Sequence, residues 1–347
     1  MKISFNCNNG AFQSPGGGEV LLLKTKEFLT KDKVNVKFFD SWNDKLENYD
    51  IFHNFGLSSN CYDLINSAYS KKVPIVVTPI YSWPSLRFAL KSGSNLKERF
   101  NLTSYAIINN NYLFNKFTVV KKILDKANKI LPDSQVEADL LIKRYKLSKN
   151  KFHPVPCGVD ERFYEAKDKE FVKKYGLKDF VLYVGRIDSR KNVLVLIKIM
   201  NKLNLPLVII GNSLPHQIGY YNMCRRIAKK NVYFLGKINH ESSLLESAYA
   251  AAKVVVLPSF LETPGLSALE GGLAGSNVVV TTRGSSISYF KGYANYINPY
   301  NEEDIKRKIL IAYHTEKDKE LKNYIKSNFL WKIVVKKVKD VYNETLK

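Results

Sequence analysis

The stretch S-F-L-E-T-P-G-L-S-A-L-E-G-G-L-A-G, residues 259–275, decides how the chain is read. Just upstream, V-Y-F-L-G (232–236) and A-A-K-V-V-V-L-P-S (251–259) read as two strands. Thr263, Pro264 and Gly265 break the chain, and Leu266 to Ala274 can then run as a helix. Pro264 suits the start of that helix, because its missing N–H would be unpaired there anyway. The sequence thus predicts a strand, a tight loop and a helix N-terminus. Glu262 sits in the loop, and Glu270 a little over one turn into the helix. A helix N-terminus offers free N–H groups and a positive dipole end to an anion, and carboxylates accept hydroxyl hydrogens. Together they suit a ligand with both a phosphate and a sugar.

Upstream, F-V-L-Y-V-G-R-I-D-S-R-K-N (180–192) reads as a buried apolar strand followed by a basic turn. Arg186 supplies a planar fork of donors and Lys191 a compact point charge, a pairing that fits a diphosphate. Taken alone, each feature has a plainer reading. The turn could be a solvated basic loop, and the two glutamates a surface acid and a helix acid favoured by the dipole.

Strands and helices alternate along the whole chain. The first half predicts strands at 2–5, 35–39, 50–53, 74–78 and 129–131, with a first helix over 19–29. The second half restarts at residue 180, with further strands at 205–210, 232–235, 253–257 and 276–281. This order predicts parallel sheets with helices on both faces. The charged stretch 160–179 holds a linker and a first helix. A last helix, from about 320 to 347, places Ile333, Val334, Val338, Val341 and Tyr342 at helical spacing.

In order, these stretches resemble the retaining glycosyltransferases of family 4, also called glycosyltransferase group 1, which have the GT-B fold. Gly185-Arg186 with Lys191 resembles the family's G-R-x-x-x-x-K-G, with Asn192 in place of the glycine. Glu262 and Glu270 reproduce its E-x7-E. V-P-C-G-V-D (155–160), L-V-I-I-G-N (207–212), N-V-Y-F-L-G-K-I (231–238), G-G-G-E (16–19) and W-K-I-V-V-K-K-V-K-D-V-Y (331–342) extend the match over nearly the whole chain. The resemblance implies two Rossmann-like doubly wound parallel-sheet domains facing across a cleft. Residues 1–160 would bind the acceptor, 161–325 would bind the nucleotide sugar, and 326–347 would form a helix packing back on the first domain.

The roles it implies are specific. Arg186, Lys191 and Glu262 would be catalytic, with Glu262 facing the donor sugar. Glu270 would take the ribose hydroxyls. Gly16, Gly17, Gly211, Gly236, Thr263, Pro264, Gly265 and Leu266 would line the donor. The family often carries a histidine near the reacting sugar, at the end of the strand matching P-I-V-V-T-P-I-Y-S-W (74–83). Here Ile80 or Tyr81 occupies that place, and His53 is a candidate neighbour, so His53 and Tyr81 are the acceptor-side candidates. The other histidines (153, 216, 240 and 314) lack companions in the sequence and read as structural or surface groups. No D-x-D occurs, so a metal-bridged diphosphate is not indicated and no metal or cofactor is expected.

Composition bounds the rest. With 347 residues, two domains fit. A hydrophobic fraction of 45% supports a large core. No apolar run approaches the roughly 18 residues of a membrane span, and M-K-I-S-F-N-C-N-N-G does not have the order of a signal peptide. Four scattered cysteines have no metal-binding spacing and read as buried thiols. A cytoplasmic location is expected, with peripheral attachment to the inner face of the cytoplasmic membrane.

The net charge of +22 favours anionic partners. No zinc-finger, basic-zipper or RNA-binding signature appears, so nucleic acid is not expected. Between Trp83 and Ile130, nine Lys and Arg face two acids and alternate with aromatic and aliphatic residues. That mix fits an anionic membrane surface as well as it fits core-facing helices with solvated lysines. The expected partners are a nucleotide sugar and a glycan or lipid-linked acceptor, for surface polysaccharide or glycolipid synthesis. The alternatives are a sugar-nucleotide-binding subunit without activity, or a sugar-nucleotide epimerase on the same fold.

Overall fold

The computed structural model describes residues 1–13, 16–81 and 115–347, with a few positions in between. It divides into one unit made of Met1–Trp83, Ile107–Gly158 and Phe329–Lys347, and another made of Pro84–Ala106 and Val159–Asn328.

The first unit holds a five-stranded sheet in the order β2-β1-β3-β4-β5. Its strands are β1 (Lys2–Cys7), β2 (Asn35–Phe38), β3 (Ile51–Phe55), β4 (Ile75–Thr78) and β5 (Lys129–Ile130). All neighbours pair parallel. Every residue of β3 and β4 is buried, as expected of strands covered on both faces, where an unbroken apolar run replaces alternation. One face packs Phe52, Ile75 and Val77 against Ile65, Ile123 and Leu124. The other packs Ile3, Phe5 and Val76 against Leu22 and Leu29 of helix Gly17–Lys31 and against Val335, Val338 and Tyr342.

Those last three residues lie on helix Trp331–Thr345. The single helix expected from 320 onward is two, Glu320–Phe329 and Trp331–Thr345, interrupted where Leu330 adopts an extended ψ of 141°. The two serve different cores. Leu321 and Ile325 press on Gly272, while Val335 joins the β1–β3 core and Ile333 is only half-buried.

The second unit holds six parallel strands in the order β11-β10-β9-β6-β7-β8. They are β6 (Val181–Val184), β7 (Leu207–Ile210), β8 (Val232–Gly236), β9 (Val254–Leu257), β10 (Asn277–Thr281) and β11 (Asn295–Ile297). β11 was not expected, because three residues beside exposed glycine and tyrosine carry no strand periodicity. The chain winds from β6 toward β8 and, after crossing back, from β9 toward β11. The winding therefore reverses between β6 and β9. Such a switch point opens a crevice at the carboxyl ends of the strands, where ligands of doubly wound sheets bind.

The basic segment 83–130 lies largely outside the described residues. In its described part, helix Asn115–Lys126 buries Val120, Ile123 and Leu124 in the first core, Lys121 pairs with Asp125 at 2.9 Å, and Lys126 stands over the Tyr69 ring. Among the described residues, no helix is long and apolar enough to cross a membrane. Cys61, Cys157 and Cys224 are buried, and Cys7 is half-buried.

Candidate active site

The loops after β6 and β9, on either side of the switch point, bring the predicted residues together. After β6, the chain makes a tight turn over Ser189–Lys191, which the Asp188 carboxylate caps by accepting from the Lys191 N–H at 3.0 Å. Asn192 follows with φ 59°. This left-handed conformation explains the residue. Asparagine tolerates it better than other non-glycine side chains. Here its amide also donates to the carbonyls of Pro258 and Pro299, at 3.2 and 3.1 Å.

The turn aims Lys191 at the β9 loop. Its Nζ lies 2.6 Å from Glu262 Oε1, and the two side chains are only 15% and 5% exposed. Ser259 Oγ donates to the same carboxylate. Arg190 donates to the Leu261 carbonyl at 2.8 Å. Burial pushes the Glu262 carboxyl up, but Lys191, Arg190 and the Ser259 bond outweigh it and hold the group below the usual range. Burial dominates at Lys191, whose pKa falls despite its partner. The pair is only slightly open to water. Arg186 is half-buried, and among the described residues no partner of its guanidinium is found.

Glu262 is fixed by its backbone too. Its N–H donates to the Arg283 carbonyl at 3.1 Å, and its carbonyl accepts from Ser285 at 3.0 Å. Beyond Thr263 and Pro264, the helix runs over Leu266–Leu273 with Gly265 as its N-cap. Pro264 therefore stands outside the helix and not at its first position. Gly265 takes φ 92°, which any side chain would strain. Among the described residues no side chain caps this N-terminus, and the Ala268 N–H turns back to the Gly265 carbonyl at 2.9 Å.

Glu270 is 7% exposed, and both of its oxygens carry a donor. Tyr249 OH donates to Oε2 at 2.6 Å, and His240 Nε2 bonds Oε1 at 2.7 Å. His240, read from sequence as having no companion, is the main residue that reading missed. Its partner lies 30 positions away, on the helix after the next strand, so no local pattern could mark it. Burial lowers the His240 pKa, but the bond and charge of Glu270, with Glu241, more than offset burial and the Arg162 charge, so it stands above the usual value. Asp160, His240 and Glu241 also place ligating atoms within 4.8 Å of one another. Arg162 stands among them, its guanidinium 3.4 Å from His240 Nδ1 and 3.7 Å from Asp160, a cation where a metal would have to compete.

The glycines follow the same edge. Gly211 donates to the Gly236 carbonyl at 2.8 Å. A Cβ on Gly211 would lie 2.0 Å from the Gly185 carbonyl oxygen, so backbone meets backbone behind Arg186. In the first unit, Gly16 caps helix Gly17–Lys31 after β1, its N–H held by Glu19 at 2.6 Å.

His53 requires correction. It is 1% exposed inside the first core, with Nδ1 2.5 Å from Tyr342 OH and Nε2 2.9 Å from Thr78 Oγ1. With both nitrogens bonded, the ring has nothing to offer an acceptor. Burial depresses its pKa to about 3, so it is a neutral core residue. Tyr81 donates its N–H to Glu137 at 2.6 Å and packs with Tyr145.

Two Rossmann-like parallel sheets, each with helices on its faces, are the GT-B fold. Sucrose-phosphate synthase from Thermosynechococcus elongatus superposes with a TM-score of 0.78 at 16% identity, covering 99% of both chains. Anabaena HepE, solved with UDP-glucose, gives 0.70 at 15% identity over 99% of this chain and 100% of that one. Residues 165–329 match the family described as glycosyl transferases group 1. An uncharacterised glycosyltransferase of Methanocaldococcus jannaschii is 32% identical over 145 residues, 39% of this chain and 36% of the relative. The matches span less than half the length of the first curated relatives.

Proposed function

We propose that the chain transfers a sugar from a nucleotide-sugar donor to a glycan or lipid-linked acceptor, with retention and without a metal. The observation that carries this reading is the pairing of two carboxylate systems at one switch point. The Lys191–Glu262 pair joins the β6 and β9 loops beside Arg186, and the His240–Glu270–Tyr249 group gathers on the helix that follows Glu262. The HepE structure with UDP-glucose supports a donor of this class on this fold.

In this reading, charge developing on the departing diphosphate is met by Arg186, Lys191 and the N–H groups at the Gly265 N-cap. Fixed positive groups of this kind are usually the largest catalytic contribution. Glu262 faces the donor sugar. The Glu270 oxygens, each with one lone pair spent on a protein donor, keep one for each ribose hydroxyl. His240 is a positioning residue that sets the Glu270 rotamer. An anionic membrane surface belongs to the proposal as the place of a lipid-linked acceptor, motivated by the +22 charge.

The test is product formation by purified protein from UDP-, GDP-, ADP- and dTDP-sugars, with and without EDTA. Release or transfer of sugar with an unchanged rate in EDTA is expected. Turnover should fall by roughly a hundredfold or more in Arg186→Ala. Activity abolished by EDTA and restored by magnesium would remove the metal-free part. Wild-type turnover in Arg186→Ala would remove the clamp.

A further inference from the structure

Because all six strands of the second sheet run parallel, its two edges differ. The candidate donor residues follow the carboxyl ends, and the opposite, amino edge has an independent feature. A cavity of about 620 Å³ opens there. It lies between Ala250 ahead of β9, the Ala274–Gly275 turn ahead of β10, the run before helix Lys169–Tyr175, and the connection leading into helix Glu320–Phe329. Four-residue strands at about 3.3 Å per residue set it more than ten ångströms from the donor edge.

Its walls carry Lys167, Lys169, Lys317, Lys319 and Lys322. The two lining acids are engaged elsewhere. Asp168 pairs with Lys178 at 2.9 Å, and Asp318 accepts from the Glu320 N–H at 2.8 Å. The lysines are not a loose surface fringe. Lys317 is half-buried, and its Nζ donates to the Ala250 carbonyl at 3.1 Å, which leaves donors directed elsewhere. Lys322 and Lys326 are held over the Tyr164 ring, at 4.3 and 3.6 Å. Burial, then the neighbouring charges of Lys253 and Lys178, pull the Lys317 pKa down against the pull of Asp179 and Asp168. Like charges are therefore crowded around a concavity, and an anion would relieve the crowding.

We propose that this amino-edge cavity binds a ligand carrying two or more phosphates, apart from the donor site. Several compact ammonium groups line one concavity, and such groups favour phosphate oxygens. A single phosphate would leave most of the 620 Å³ empty. Tyr164, the one aromatic of the lining, is already covered by lysines, so base stacking is not the mode of recognition. Two sources supply such a ligand: a soluble polyphosphorylated metabolite, or the head groups of an anionic lipid surface.

Titration calorimetry of the full chain with pyrophosphate tests this. Wild type should bind at two sites. Lys167→Glu/Lys319→Glu changes two exposed side chains that cannot disturb packing. It should lose one site by tenfold or more and keep the other. Lys317→Ala/Lys322→Ala should do the same, with folding checked by circular dichroism. Arg186→Ala/Lys191→Ala should lose only the opposite site. Sedimentation with phosphatidylglycerol against phosphatidylcholine vesicles separates the sources. Pelleting lost in Lys167→Glu/Lys319→Glu and displaced by pyrophosphate identifies lipid, and pyrophosphate binding without pelleting identifies the soluble ligand. Unchanged stoichiometry and affinity in both amino-edge variants would overturn the proposal and leave a solvated basic face. This holds whether or not the donor site binds a nucleotide sugar.

Discussion

Lys191 and Glu262 matter to each other before they matter to any ligand. Removing one partner of a buried ion pair strands the other charge, which typically costs about 3–5 kcal/mol. Lys191 keeps some exposure, so Lys191→Ala should fall near the low end of that range in urea unfolding. Lys191→Ala/Glu262→Gln should be more stable than Lys191→Ala alone, and strictly additive losses would show that the pair is not coupled. Glu270 offers a parallel case. His240→Ala frees the carboxylate to rotate and should weaken donor binding about tenfold. His240→Gln, whose amide can still donate, should recover part of that loss. Equal donor affinity in wild type and His240→Ala would refute the positioning role. The two glutamates and the basic turn were legible in sequence because each sits at fixed spacing within one strand-loop-helix segment. His240 was not, since Glu270 lies on a helix that follows a further strand, and contacts made by the packing of distant segments leave no local signature.

At the scale of elements, the turn that carries Lys191 depends on one left-handed residue. Asn192→Ala imposes roughly 1 kcal/mol of backbone strain. It also strands the Pro258 and Pro299 carbonyls, at about 1–3 kcal/mol each if they stay dry. A loss of about 3–7 kcal/mol is expected by chemical denaturation, with Asn192→Gly milder because only the side-chain bonds go. An Asn192→Gly protein less stable than Asn192→Ala would contradict the left-handed argument. Strands β6, β7, β9 and β10 were readable as apolar runs because parallel strands buried on both faces cannot alternate. β11 and the break at Leu330 were not readable. A three-residue strand has no period, and the break has no proline or glycine to announce it. Leu330 turns because Ile325 and Val335 belong to different cores.

For the molecule as a whole, His53 gives the stability a direction with pH. Its native pKa of about 3 lies below its unfolded value near 6.5. Between those values the unfolded chain takes up a proton that the native chain refuses. Stability is therefore intact above about pH 6.5 and falls with acidification toward pH 3, by about 1.4 kcal/mol per pH unit at full effect. His53→Gln should flatten the unfolding free energy between pH 6 and pH 4 by about one proton's worth, and an unchanged slope would assign the acid sensitivity to other groups. The two-sheet architecture was legible from the alternation of strands and helices. The burial of His53 was not, because a histidine after an apolar strand reads the same whether it faces a ligand or Tyr342.

The central claim, a nucleotide-sugar site at the β6–β9 switch point, is tested most directly by thermal unfolding of wild type and Arg186→Ala/Glu270→Gln against a panel of nucleotide sugars. One nucleotide class should stabilise wild type, by about 2.7 kcal/mol at a hundred times its dissociation constant, and leave the double variant unmoved. No stabilisation of wild type by any nucleotide sugar, or equal stabilisation of both proteins, would contradict the account.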